Sequence, residues 1–179
     1  MTQQRAWRIT SGQPDPAAVE RLLRQLPGWF GIESSVLDYI EAARHMPAYL
    51  AWPAGRAASG EPGRQPAGPA DPADGERDGQ PAGVLLAARH FPGAAEIYLM
   101  AVAPDQHRRG AGRALVAALE ADLIADGTRF LQVKTLGPAR PDPGYALTRK
   151  FYAAAGFQPL EEIHGLWLGN PCLIMIKTL

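Results

Sequence analysis

The fold is decided by one stretch, Glu96-Ile97-Tyr98-Leu99-Met100-Ala101-Val102-Ala103-Pro104-Asp105-Gln106-His107-Arg108-Arg109-Gly110-Ala111-Gly112-Arg113-Ala114-Leu115. Its first seven residues are apolar enough for a buried strand. A short turn with two glycines follows, and then Leu115, Val116, Leu119 and Leu123 recur at helical spacing until Asp126-Gly127. A strand, a glycine-bearing turn and a helix start together make an anion site. The first helical N–H groups have no partner inside the helix, and the macrodipole adds partial positive charge there. Gly110 and Gly112 let a phosphate approach the backbone, and Arg108, Arg109 and Arg113 add charge at the same mouth. No Gly-Lys-Ser/Thr is present, so this is not a nucleotide P-loop; Leu115 stands where a dinucleotide fingerprint has its third glycine.

Working outward, Phe91-Pro92-Gly93-Ala94 is a turn that joins this strand to another apolar run, Gly83 to His90. Downstream come a strand from Arg129 to Leu136, a helix opened by Asp142-Pro143 and closed at Ala155-Gly156, and strands Phe157–Ile163 and Cys172–Lys177. Upstream, Ala6 to Thr10 alternates as a strand, and Asp15-Pro16 caps a helix with Val19, Leu22, Leu23 and Leu26 on one face. A second helix begins near Ser34 or Ser35, with Val36, Tyr39, Ile40 and Ala43 inward, and Ala48 to Trp52 is a strand. The order β-α-α-β-β-β-α-β-α-β-β implies a sheet with helices on its faces in one domain over 1–179. It is interrupted at 53–82, where Pro, Gly, Ala and charges from Pro53 to Gln80 supply no large apolar side chain. Such a stretch cannot offset its own ordering entropy, so a flexible insert is expected, with a lid over a cleft as a further reading.

Composition narrows the function classes. Eighteen basic residues balance eighteen acidic ones, which argues against a nucleic-acid binder. No apolar run reaches the ~18–20 residues of a membrane span, and the N-terminus has no signal-peptide core, so a cytoplasmic protein is expected. Cys172 is the single cysteine; it rules out an internal disulfide and reads as an inert buried thiol. His45, His90 and His164 show no ligand spacing, so no metal site is expected.

His107-Arg108-Arg109-Gly110-Ala111-Gly112 resembles the pyrophosphate loop of the GNAT superfamily of N-acetyltransferases, Arg/Gln-x-x-Gly-x-Gly/Ala, with His107 in place of Arg or Gln. Met100-Ala101-Val102-Ala103-Pro104 is similar to that family's strand with its Val-x-Pro ending, and Phe151-Tyr152-Ala153-Ala154-Ala155-Gly156-Phe157 to its Phe-Tyr-x-x-x-Gly-Phe signature. Tyr145 stands where many members carry an asparagine, and the loop Gly137 to Gly144 is longer than usual. The resemblance runs from about Gly83 to Phe157 and more loosely over the chain. It implies the GNAT fold: an α+β domain with a mixed, mostly antiparallel sheet flanked by about four helices. It also implies acetyl-CoA as acyl donor, held by Val102, Ala103, His107, Arg108, Arg109, Gly110, Ala111, Gly112, Arg113, Ala114 and Tyr152, with direct attack by a substrate amine.

Under that resemblance Glu96, thirteen residues before Arg109, is the candidate base, as in the histone-acetyltransferase branch. Its apolar neighbours Ile97 and Tyr98 would raise its pKa by desolvation; the other reading is a solvated strand-end glutamate. Tyr152 is the candidate acid for the departing thiolate, or a packing tyrosine. Val102 would offer its backbone N–H to the thioester carbonyl. For the acceptor, Trp29, Phe30 and Glu33 could hold a cationic amine by cation–π contact and charge, or Trp29 and Phe30 simply anchor a loop. Glu161, Glu162 and Trp167 are further candidates. The expected acceptor is a small-molecule amine handled by a monomer or homodimer. A protein or peptide acceptor, or an acyl-CoA sensor without turnover, are the alternatives.

Overall fold

The computed structural model describes residues 7–54 and 80–179. Among the described residues eleven strands and helices follow the expected order, with a short 3-10 turn, Pro104–Gln106, added. They are β1 (Trp7–Gly12), α1 (Pro16–Leu23), α2 (Glu33–Ala42), β2 (Ala48–Pro53), β3 (Gly83–Phe91), β4 (Ala94–Val102), α3 (Ala111–Ala125), β5 (Phe130–Leu136), α4 (Pro143–Ala154), β6 (Gln158–Trp167) and β7 (Asn170–Thr178). Of the expected insert, Pro53 closes β2 and Gln80 to Ala82 lead into β3; residues 55–79 lie outside the described residues.

Local chemistry sets the helix starts. Asp15 accepts from the Ala17 N–H ahead of Pro16, and Asp142 accepts from the Tyr145 N–H ahead of Pro143. α1 stops at Leu23, three residues before the last expected position. Turn bonds from the Gln25 and Leu26 amides nonetheless keep Leu26 buried. α2 begins at Glu33 and not at the serines, and Ile32 in its cap position makes no side-chain bond. β6 continues past Ile163 to Trp167, which pairs with Asn170 across the last turn.

All seven strands form one sheet in the order β1-β2-β3-β4-β5-β7-β6. Every pairing is antiparallel except β4 with β5. Leu85, Ile97, Leu131 and Val133 on one face pack with Leu115, Leu119 and Tyr152 of α3 and α4. On the other face Val84, Leu86, Leu99 and Ala101 pack with Val19, Leu22 and Leu23 of α1 and Val36 of α2.

Two irregularities shape the centre. The parallel ladder joins only Ala94–Ile97 to Phe130–Val133, although β4 runs on to Val102 and β5 to Leu136. The sheet therefore opens as a wedge along the C-terminal halves of these strands. In the antiparallel ladder with β3, Leu86 opposes Leu99 but Ala87 opposes Ile97, so Tyr98 is an extra residue, a β-bulge. The bulge inverts the alternation. Ala95 and Ile97 face α3 and α4 before it, and Met100 and Val102 face them after it.

Leu115 is fully buried where α3 crosses the sheet and fixes the helix beside the wedge. Leu115→Ala should cost about 2–5 kcal/mol of stability, seen as a lower denaturant midpoint with an unchanged slope. A loss under ~1 kcal/mol would mean that the site collapses readily around the cavity.

Candidate active site

On the α3/α4 face, the end of β4 is pinned by the Ala103 N–H donating to the Ala82 carbonyl at 2.8 Å. By alternation the backbone of Val102, and of Met100 two residues earlier, points the other way, into the wedge. His107 confirms this direction: its Nε2–H donates to the Val102 carbonyl at 2.8 Å, folding the loop back on the strand. Arg108 takes a left-handed φ of 59° and Gly110 one of 94°, and α3 begins at Ala111. The first helical bond is from the Ala114 N–H to the Gly110 carbonyl, so the amides of Ala111, Gly112 and Arg113 lie ahead of the ladder at the helix mouth. The exposed side chains of Arg108, Arg109 and Arg113 stand around them. From β1, the Trp7 indole N–H holds the Arg109 carbonyl at 2.8 Å.

The two glycines serve different ends. Gly110 supplies the left-handed conformation that turns the chain into the helix. A Cβ on Gly112 would stand 3.3 Å from the Phe151 ring, so this glycine also admits α4 close to α3. A branched side chain at 112 would thus disturb the fold as well as a phosphate.

Tyr152 is 4 % exposed, with edge-to-face contacts to Phe151 and Phe157 at ring distances of 5.2 and 5.4 Å. Burial, with the nearby Tyr39 phenol adding to it, drives its pKa well above the ordinary phenol value, so it holds its proton at neutral pH. Tyr39 belongs to α2, on the opposite face of the sheet. Its own phenol is pushed up to about 12, chiefly by burial, with Tyr145, Tyr98, Glu96 and Asp38 also contributing.

Glu96 faces α1 and α2 and is 4 % exposed. Its Oε2 accepts from Lys134 Nζ at 2.7 Å, His90 Nε2 at 2.7 Å and Gln132 Nε2 at 2.8 Å, while Oε1 accepts none of these. The expectation of a raised pKa requires correction. Burial does push the carboxyl up, but the bonds from Lys134, His90 and Gln132 together outweigh it, and the pKa is lowered. Nor is Glu96 a solvated strand-end residue. Sequence reasoning missed its partners; Gln132 and Lys134 alternate on β5, yet nothing in the chain reveals that β5 lies beside β4.

The expected acceptor trio is split. Glu33 is exposed and its carboxylate is engaged by the Arg24 guanidinium, which lowers its pKa; it has no place in the wedge. Trp29 reaches over to α4, donating Nε1–H to Thr148 Oγ1 at 3.2 Å, while its carbonyl accepts from the Tyr145 hydroxyl at 2.9 Å. Its ring also meets His107 edge-on at 5.9 Å. Trp29 thus straps the α1–α2 connection to α4 and the glycine loop, and Tyr145 helps hold that strap. Phe30 stands on the α1/α2 face, edge-to-face with Tyr39 at 5.8 Å, and Tyr39 in turn meets Tyr98 at 5.6 Å. Glu162 turns onto the β5–α4 loop and accepts from the Ala139 N–H. Cys172 is fully buried, and burial raises its thiol pKa. Two cavities of about 190 and 290 Å³ lie along α1 and β2, and neither is lined by Glu96, Val102, Gly110 or Tyr152. Among the described residues no cluster of three or more His, Cys, Asp or Glu could hold a metal ion, and no helix is long and apolar enough to cross a membrane.

The sheet is thus wedged open between two parallel strands, with a helix N-terminus following the strand that ends at the wedge. The sequence profile of the acetyltransferase (GNAT) family matches residues 28–157, and the chain belongs to that family. No curated protein matches it by sequence. Its fold is similar to that of a crystal structure described as a putative acetyltransferase of the GNAT family from Desulfovibrio desulfuricans. The TM-score is 0.72 at 20% identity, covering 97% of this chain and 99% of that one. It is also similar to the ribosomal-protein-S18-alanine N-acetyltransferase from Escherichia coli, with a TM-score of 0.67, 16% identity and 97% and 94% coverage. A GNAT family acetyltransferase from Elizabethkingia anophelis with acetyl-CoA bound gives 0.63 at 14% identity, covering 97% and 98%. At these identities the likeness establishes the fold.

The lowered pKa of Glu96 has a pH consequence. Its ordinary value is 4.5, and the folded value lies below that, so the carboxylate contributes stability that is complete above about pH 4.5 and lost as pH falls through the folded value. Glu96→Gln should cost roughly 1–3 kcal/mol at pH 7, and the gap from wild type should shrink below about pH 4.5 in urea titrations. A gap constant from pH 7 to about 3 would show that the charged form gains nothing on folding.

Proposed function

We propose that this chain is an acetyl-CoA-dependent N-acetyltransferase acting on the primary amine of a small molecule. The observation that carries the reading is the wedge between β4 and β5. It links a helix N-terminus and a protonated buried tyrosine on one face to a buried carboxylate on the other. The residues present fit the group: three helical amides and three arginines suit a diphosphate, and the free strand edges suit an amide-bearing arm. Ala103 and Ala114, also expected to hold the group, spend their N–H groups on the Ala82 and Gly110 carbonyls, so they shape the strand end and the helix start without donating to a ligand. Acetyl-CoA would supply an activated thioester.

The chain's own residues would then act as follows. Oε1 of Glu96 receives the proton of the acceptor ammonium, directly or through one water, because Oε2 is already taken by three donors. The Val102 N–H, with that of Met100 facing the same side, steadies the charge that develops on the acyl oxygen. Tyr152 would give its phenolic proton to the leaving thiolate and be restored by the second proton that the nitrogen sheds as the amide forms, while Glu96 passes the first to solvent. A low carboxylate pKa makes Glu96 a weak base that is always ready, suited to accepting a proton transiently rather than storing it. A compact acceptor is favoured because Trp29 straps the connection between α1 and α2 to α4, closing that end of the site against a long chain.

Thermal melting with and without acetyl-CoA tests the reading, with CoA and ATP as comparators. At ~100 times its dissociation constant a ligand stabilises by about 2.7 kcal/mol, several degrees for a chain of this size. A shift with acetyl-CoA and CoA but not ATP is expected; none at saturation would overturn the function. Tyr152→Phe should then lower turnover by roughly 10²-fold with little change in that shift, and unchanged turnover would make the tyrosine purely structural.

A further inference from the structure

On the acceptor side a fixed cation stands directly beside the carboxylate. Lys134 Nζ spends one donor on Glu96 Oε2 at 2.7 Å, and its side chain is 29 % exposed, so the rest of the ammonium remains within reach of a ligand. Glu96 in turn keeps Oε1. The site therefore offers an acceptor oxygen and a cationic donor side by side. The other groups around them are uncharged at neutral pH or already matched. Gln132 and the Tyr39 phenol carry no charge, Cys172 is a buried thiol with a raised pKa, and His90 is bonded to the same Oε2.

Resting on the function proposed above, we infer that the acceptor carries its amine and a carboxylate on the same carbon: it is a free α-amino acid, with an aromatic or large aliphatic side chain. The ammonium would donate to Glu96 Oε1 and the carboxylate would accept from Lys134, so the zwitterion meets the ion pair head to tail. An α-amino acid holds its two charges as close together as Glu96 and Lys134 hold theirs. A polyamine satisfies Glu96 but brings a further cation against Lys134, and a simple amine leaves the lysine without an anion. A peptide N-terminus replaces the carboxylate with a neutral amide and leaves the lysine without its anion. The side-chain preference comes from the edge-to-face series Phe30, Tyr39 and Tyr98, an apolar wall on the same face.

The experiment measures CoA release from acetyl-CoA with L-phenylalanine, L-phenylalaninamide, phenethylamine and spermidine, in wild type, Lys134→Met and Lys134→Arg. Acetyl-CoA binding is followed in parallel by thermal shift. The wild type is expected to favour the free acid over its amide by at least about tenfold in kcat/KM. Lys134→Met should abolish that ratio and Lys134→Arg should keep most of it. Because each ratio is taken within one enzyme, a general effect of the substitution on Glu96 cancels. Equal use of acid and amide, preference for phenethylamine or spermidine, a ratio unmoved by Lys134→Met, or no release with any of the four would overturn the inference while acetyl-CoA binding stands. Loss of the acetyl-CoA shift in the wild type would bring down the function reading itself.

Discussion

Everything at this site depends on a sheet that stops pairing. Strands β4 and β5 share four residue pairs and then separate, because β4 is led away by its antiparallel ladder with β3 and β5 by its ladder with β7. Backbone groups inside a protein must find partners, so two diverging strands leave polar edges that something has to satisfy. His107 takes one of these, the Val102 carbonyl, from the loop that leads into α3. The same amino-acid run thus ends a strand, closes its last carbonyl and opens a helix whose amides point outward.

The bulge at Tyr98 decides which side chains serve which face. Without it, strict alternation would set Met100 and Val102 on the face of Glu96. With it, Glu96 and Tyr98 look toward α2, while Met100 and Val102 look toward α3 and α4. One strand can then present a carboxylate on one face and the side chains of its last residues on the other. Such an insertion costs a ladder bond and pays for itself in placement, which is why bulges gather near active sites.

Much of this was legible in the chain. The strand, glycine turn and helix at 96–123, the Asp-Pro helix starts and the apolar faces of α1 and α3 follow from local rules, and all are present. What could not be read was pairing across distance. Glu96 was legible as a carboxylate beside Ile97 and Tyr98, and from those neighbours alone burial should raise its pKa. Its true neighbours come from β3 and β5, six to thirty-eight positions away, and they reverse the sign. Glu33 failed for the same reason, since its partner Arg24 lies on the preceding turn and takes it out of the site. Trp29 and Phe30 are adjacent in sequence but diverge, one to α4 and one to Tyr39, because a loop has no period to predict its side-chain directions.

The charge balance around Glu96 links stability to chemistry. A carboxylate at 4 % exposure is tolerated only if its charge is compensated, and three donors on one oxygen accomplish this. Concentrating them on Oε2 is the consequential detail. Had the donors been shared between the two oxygens, neither oxygen would be left wholly open, and about one of the four lone-pair sites would remain for a ligand. As built, one oxygen carries all three compensating bonds and the other takes none of them, beside a partly exposed lysine, and the amine recognition proposed above rests on that asymmetry.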